Sequence, residues 1–362
     1  MGRNHEVVQK QRLLNKNGNL REPGWSRNQV QRYVRADIKA PKFRIKEWDY
    51  YMVLNQNFAA AFTISDDGYV GLESVSILDF KERKEHTETV LTAFPMGRLK
   101  MPETSSQGNS VYEDKRLKLK FELENVSKAS LCHELHKNYI LEQNRGGKIR
   151  HITCQFQRFH GNVDFSCDIR LYQPDMESMV IATPWPKNHA FYYNQKINCM
   201  RAEGWMQYGD KRYEFHPETD FGTLDWGRGV WTYDNTWYWG SGNCDLNGKA
   251  FGFNIGYGFG DTSAATENVL FYEGKAHKMD DVTFHIPEDS YMKKWKFTSS
   301  DGRFEMDFEP VIDRAAKLDY KLIVTDQHQV FGKMSGTAVL DDGTKIEIKD
   351  MMCFAEKVHN RY

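Results

Sequence analysis

The chain has 362 residues, 40% hydrophobic, 27% charged and 14% aromatic, with a formal net charge of −1. That length is too great for one small core and fits about two domains, and the near-neutral balance gives no global electrostatic case for a nucleic-acid partner. No apolar run approaches the ~18 residues of a membrane span, so a transmembrane segment is not expected.

The neutrality hides an asymmetry at the start of the chain. Residues 1 to 46 hold twelve Lys or Arg against Glu6, Glu22 and Asp37, a surplus of nine, which leaves the remainder acidic by ten for the total of −1. Residues 1–44 lack sustained apolar periodicity and carry Pro23, Gly24 and Pro41 as breakers. They read as a basic arm laid on an acidic body, with Trp25 and Tyr33 as docking anchors. Peripheral contact with an anionic membrane is the other use of such a charge run. The N-terminus shows no positive-then-apolar secretory signal, and a cytoplasmic location is expected.

From Ile45 the texture changes to strand. Trp48, Tyr50, Met52 and Leu54 share one face, and Ile64 to Val70 reads as strand, turn and strand around Asp66-Asp67-Gly68. Leu117, Leu119, Phe121 and Leu123 alternate with charged residues, as do Val163, Phe165, Cys167, Ile169 and Leu171 with mixed ones. Turn signals recur at Gly209-Asp210, Asn247-Gly248, Glu273-Gly274, Asp301-Gly302 and Asp341-Asp342-Gly343. This grammar predicts a mainly β protein of antiparallel sheets closed into barrels. Only Ser127 to Glu142 suggests a short helix, and it reads equally as a loop. Pro184 and Pro186, ahead of an aromatic stretch, place a domain seam at 184–196 and divide the body into 45–190 and 191–362.

The aromatic residues concentrate in Phe221 to Gly242, which holds four of the nine tryptophans. Such density needs a thick core or a cavity wall with polar tips turned inward. Asp225 and Arg228 flank Trp226 there. Burial among Trp231, Trp237 and Trp239 would raise the acid's pKa and suit it to proton donation, whereas pairing with Arg228 would make a structural clasp. In Phe251 to Gly260, Phe251, Phe253, Ile255, Tyr257 and Phe259 occupy one face, with four glycines and Asn254 on the other. That second face allows close backbone approach, or simply strong coiling. The following loop carries Asp261 and Glu267, readable as an acid/base pair or as turn caps. His189, Tyr192 and Tyr193 are further proton-transfer candidates, with His277 and His285 beyond.

Six cysteines lack any CxxC pair, and His133-Glu134-Leu135-His136 is not HExxH, so no metal and no cofactor is expected. The ligand-contacting set read from these residues is Tyr192, Tyr193, Trp226, Trp231, Trp237, Trp239, Asn254, Tyr257, Asp261 and Glu267, with Asp225, Arg228 and His189 as catalytic candidates.

The segments IKEWDYY at 45–51, AFYYNQKINCMRAEGW at 190–205, DWGRGVW at 225–231, WYWGSG at 237–242, GYGFGDTSAATEN at 256–268 and CFAEKVHNRY at 353–362 identify the chain as a member of a bacterial family catalogued as domain of unknown function 2804. More distantly, the EWDYY start and the GTLDWGRG…WYWGSG segment resemble the tandem-lipocalin (calycin) group that includes carotenoid hydratases related to hydroxyneurosporene synthase. That resemblance implies two lipocalin-like barrels, a hydrophobic ligand and, in the hydratases, acid/base addition of water to an alkene with Asp225 at the proton-donor position. Three readings follow: a binding protein for a lipid- or isoprenoid-like small molecule, a hydratase or isomerase using Asp225, and an interaction module acting through the arm.

Overall fold

The structure, a computed structural model, describes residues 3–126, 147–319 and 324–361. The stretch from Ser127 to Glu142, expected as a short helix or loop, lies outside the described residues. The rest is mainly β: two curled antiparallel sheets, of thirteen and nine strands, form the expected tandem of lipocalin-like barrels. Among the described residues no helix is long and apolar enough to cross a membrane.

The main path of the first sheet starts at Lys84–Ala93 and passes through Val70–Asp79, Phe58–Asp66 and Lys46–Leu54. It continues through Phe221–Val230, Phe191–Tyr208, Val163–Pro174, Gly147–His160 and Leu117–Val126 to Ser110–Glu113. Its two edges approach through side chains: Thr92 Oγ1 donates to the Tyr112 hydroxyl at 3.4 Å, and Arg116 Nη2 pairs with Glu88 at 2.7 Å. The predicted alternation sets the interior. Leu117, Leu119, Phe121, Phe165, Cys167, Ile169 and Leu171 all enter one apolar core, while Leu123 and Val163 toward the strand ends are half-buried and exposed.

The second sheet begins at Asp234–Leu246 and encloses its own core around Phe251, Phe253, Ile255, Trp295, Phe297 and Phe304. Two of its hairpins turn at Asn247-Gly248 (φ 56° and 88°) and Glu273-Gly274 (φ 47° and 78°). Positive φ at both positions gives turns whose twist matches that of paired strands.

The seam expected at 184–196, with its boundary at 190/191, is corrected by the pairing. The Phe191–Tyr208 strand bonds to Val163–Pro174 on one side and Phe221–Val230 on the other, both in the first sheet. The sheets change between Val230 and Asp234. Pro184 ends the Met179–Pro184 strand at a turn into the next strand of the same sheet, because a proline stops ladder pairing without requiring a new domain.

Trp48, Tyr50, Met52 and Leu54 do share a face, but it points away from their own barrel. Met52 and Leu54 pack with Ile312, Phe331, Met352 and Phe354 of the second sheet, while Tyr51 and Val53 fill the first barrel. The barrels therefore stand back to back. Within the first sheet Gly227 lies opposite Trp48 and leaves room for its indole: a Cβ there would lie 2.0 Å from Cζ2 of Trp48.

The arm covers one mouth of the first barrel. Leu13, Leu14, Tyr33 and Ile38 enter that barrel's core, and the Tyr33 hydroxyl donates to Glu47 at 2.8 Å. Gly24–Ser26 adds a short strand beside Met179–Pro184, and buried Trp25 joins the cluster between the barrels. Several arm cations are engaged with the body: Arg27 pairs with Glu177 at 2.9 Å, Arg35 with Glu47 and Arg3 with Asp281.

Replacing Gly227 by Ala should destabilise the protein by about 1–3 kcal/mol, as overpacking does. Urea unfolding checks this; an unchanged midpoint would show that Trp48 does not lie over that glycine.

Candidate functional site between the barrels

A strand turns successive side chains to opposite faces, and here that rule divides the sequence-predicted residues. Asp225 and Arg228 are three positions apart and therefore face opposite ways. Arg228 points into the first barrel, where its Nη1 lies 3.0 Å from Asp49 Oδ1 and donates to the Trp48 carbonyl at 2.7 Å. Its Nη2 bonds to the Pro102 carbonyl at 2.8 Å. Its guanidinium lies 4.1 Å from the Trp226 ring centre. The arginine clasp exists, with Asp49 as its acid instead of Asp225. A cavity of about 20 Å³ lies nearby, lined by Asp49, Tyr51, Ser105, Ser110, Arg150 and Trp226; it is large enough for about one water. Tyr193 belongs to this interior as well, its hydroxyl donating to the Gln31 carbonyl at 2.7 Å.

Asp225 points the other way, into the gap between the barrels. Lys196, which sequence reasoning passed over, meets its Oδ2 at 2.6 Å, and the two side chains are 3% and 10% exposed. Asn194 Nδ2 donates to Oδ1 at 2.6 Å and to the Trp226 carbonyl at 2.9 Å. Both oxygens of Asp225 are thus engaged. The Lys196 ammonium also lies 3.9 Å from the Trp239 ring centre, a cation–π contact made inside the protein.

Aromatic rings from both barrels wall the gap. Trp48 stacks on Tyr192 with centroids 6.0 Å apart and meets Trp231 edge-on at 5.3 Å. Phe259 is set among Trp185, Tyr192, Trp231 and Trp237, with centroid distances of 4.8–5.3 Å. Tyr50 crosses to Trp239 at 5.9 Å. Trp48, Tyr50 and Trp237 keep partial solvent contact, while Tyr192, Trp231 and Trp239 keep only traces. These rings pack on one another between the two sheets, with Trp48, Tyr50 and Trp237 at the solvent edge of the cluster.

Polar groups of the second barrel complete it. Trp239 Nε1 donates to Asn254 Oδ1 at 2.7 Å, and Asn254 Nδ2 to the Glu267 carbonyl at 2.8 Å. Glu356 accepts from Trp237 Nε1 at 3.0 Å and from Gln329 Nε2 at 2.7 Å. The Glu267 carboxyl is buried and accepts no hydrogen bond among the described residues. Burial pushes it up to about 7, with Lys196 acting to lower it and Asp225 to raise it. Burial likewise raises the Glu356 carboxyl and, strongly, the Tyr192 hydroxyl, which also has no hydrogen-bond partner among the described residues. Lys278 is pulled down to about 7 by burial and donates to the Asn268 carbonyl at 2.8 Å and to Thr266.

The remaining predicted residues lie elsewhere. His189 sits in a turn against the arm, its amide donating to Asn19 Oδ1 at 2.9 Å and its ring bonded to Asn188. Asp261 caps its own turn through the Ser263 amide, which holds its carboxyl below the ordinary range. Tyr257 stacks on Tyr238 at 4.5 Å beside the second barrel's core. Lys196, Glu356, Gln329, Tyr50 and Trp48 were missed as site residues. The available signal was parity, because Lys196 lies two and four positions from Asn194 and Tyr192 on the same strand.

A family model described as a domain of unknown function, DUF2804, matches residues 4–362, and the chain belongs to that family. No curated protein matches it in sequence. Among solved structures it is similar to kievitone hydratase from Nectria haematococca, at 10% identity over 87% of this chain and 88% of that one, with a TM-score of 0.49. It is also similar to an AttH-like protein from Nitrosomonas europaea, at 12% identity over 87% and 92% of the two chains, with a TM-score of 0.47. Identities this low do not carry an activity across.

Two outcomes test the electrostatics. Replacing Asp225 by Asn leaves Lys196 buried without its counter-ion and should cost about 3–5 kcal/mol in urea unfolding, while Lys196→Met with Asp225→Leu should cost less than either single change. Folded Glu267 keeps its proton up to about 7, whereas its ordinary value is 4.5, so the folded state binds the extra proton between those values. Stability contributed by Glu267 should fall as pH rises through that window, by about 3 kcal/mol, and then level off. Glu267→Gln should flatten that part of the profile. Glu73, pushed up to about 8 inside the first barrel, acts equally in both proteins and cancels in the difference.

Proposed function

We propose that this DUF2804 protein binds a largely apolar small molecule between its barrels. The ligand lies against Trp48, Tyr192, Trp231, Trp237 and Trp239, with its polar end at Lys196, Asp225 and Glu267. The observation that carries this reading is the pairing of an aromatic wall with two buried polar groups, the Glu267 carboxyl and the Tyr192 hydroxyl, that have no partner among the described residues. A ligand group that donates to the Glu267 carboxyl gains a hydrogen bond there, while the rings supply apolar contact. Asn254 acts in this reading as a support, holding Trp239 and the Glu267 backbone in place.

The test is direct. Titration with farnesol, retinol and oleate should give saturable quenching of tryptophan emission with at least one probe, and Trp48→Ala with Trp237→Ala should weaken it at least tenfold. Protein that carries no co-extracted small molecule and shows no saturable response to any of the three would overturn the proposal.

A second reading, a hydratase or isomerase, is favoured by one observation: the Glu267 carboxyl lies near 7, where a group can both give and take a proton. Asp225, with both oxygens committed, serves here to hold Lys196, and Glu267 takes the proton-transfer role. Incubating the protein and a bound alkene in D₂O should place deuterium on carbon, and Glu267→Gln should abolish that incorporation. Retained incorporation in this variant would remove Glu267 from the chemistry.

A further inference from the structure

Given that reading of the cleft, we infer that its ligand carries a cationic nitrogen, as in an amphipathic amine or quaternary ammonium, seated between the aromatic rings and Glu267. Two acceptors along this part of the seam lack a donor. The Glu267 carboxyl has no donor, and neither does Asn194 Oδ1 beside Asp225. Every cation facing Glu267 is already engaged elsewhere. Lys196 is held by Asp225 at 2.6 Å, and Lys278 spends its donors on Thr266 and on the Asn268 and Met279 carbonyls. Arg314, which faces Glu356, donates to Ser76 Oγ at 2.8 Å.

The rings distinguish a cation from a neutral donor. An alcohol would satisfy Glu267 with one hydrogen bond and gain only apolar contact from the wall. An ammonium gains the carboxylate's charge and the negative faces of the rings together. The wall already accepts such groups from the protein itself, since the Lys196 ammonium lies 3.9 Å from the Trp239 centre and that of Lys46 lies 5.4 Å from the Trp231 centre. A carboxylate ligand meets Lys196, whose charge Asp225 has taken, and Lys278, whose donors are already spent.

The pH dependence has a definite sign. Glu267 ionises as pH rises, and Lys278 loses its proton over a similar range, so both changes make the cleft more receptive to a cation. Asp225, Lys196 and Tyr192 are the other titratable groups facing Glu267.

The experiment uses the full chain and three decyl probes, with trimethylammonium, hydroxyl or carboxylate heads, followed by tryptophan fluorescence and calorimetry at 0.15 M salt. The ammonium probe should bind about tenfold more tightly than the alcohol at pH 8. Its affinity should drop about tenfold from pH 8 to pH 6 as Glu267 protonates, while that of the alcohol should not change. Glu267→Gln should erase the preference of the ammonium over the alcohol. Should that variant fail to fold, the wild-type pH profile alone decides. Equal binding of ammonium and alcohol, or preference for the carboxylate, would overturn the cationic assignment and leave the cleft as a binding site. Absence of saturable binding by all three would overturn both.

Discussion

Two adjacent strands, Phe221–Val230 and the first part of Phe191–Tyr208, are buried on both faces. A strand in an ordinary barrel turns one face to water and can discharge its polar side chains there. These strands cannot, so each polar residue must find a partner on whichever side parity sends it. Inward, Arg228 finds Asp49; outward, Asp225 finds Lys196 and Asn194. At the lower end of the seam a bulge around Ile197 to Met200 turns both Asn198 and Cys199 outward. Asn198 Nδ2 then bonds to Ser241 at 2.8 Å and to the Phe253 carbonyl at 3.0 Å, and the Cys199 amide to Asn243 at 2.8 Å. The back-to-back pairing of the barrels rests on these polar rivets as much as on the apolar contacts around Phe331 and Phe354.

Close approach depends on what is missing from the side chains. Gly227 leaves room for the Trp48 indole, and at Gly252 a Cβ would stand 2.8 Å from Cys199 Sγ. At Gly252 the glycine-rich strand thus admits the Cys199 side chain of the first barrel, while Gly256 and Gly258 lie against the backbone of Tyr238 and Thr236 in its own sheet. Where the faces diverge, the rings of Trp48, Tyr192, Trp231 and Trp237 line the space, with Phe259 among them. A low local dielectric follows, and it accounts for the raised Glu267, Glu356 and Tyr192 groups and the lowered Lys278.

The arm has a comparable structural logic. A barrel mouth exposes the ends of apolar strands, and Leu13, Leu14, Tyr33 and Ile38 cover that surface. Its charges lie against an acidic body, so Arg27 and Arg35 meet carboxylates that would otherwise repel one another. The same segment also spans to the second barrel, where the His5 amide donates to the Ala264 carbonyl at 2.8 Å. The arm thus bonds to both barrels.

Much of this was legible in the sequence. Period-two alternation and Gly-rich turns specify antiparallel barrels, because side-chain direction and turn twist are local properties of the chain. The clustering of tryptophans near residue 230 corresponds to rings packed between the two sheets, and Asn254 and Glu267 lie buried beside them. The partners were not legible. Asp225 and Arg228 look like a pair when written on one line, yet parity separates them. Lys196 shares the parity of Asn194 and Tyr192, but its partner appears only when its strand is laid beside Phe221–Val230, and the proline-marked stretch at 184–196 is a turn and a strand of one sheet. The sequence by itself determined the strands, their turns and the aromatic supply, all governed by neighbours a few residues apart. Only the tertiary structure decided which carboxyl is paired and which is left bare, because desolvation and ion pairing depend on groups brought together from distant parts of the chain.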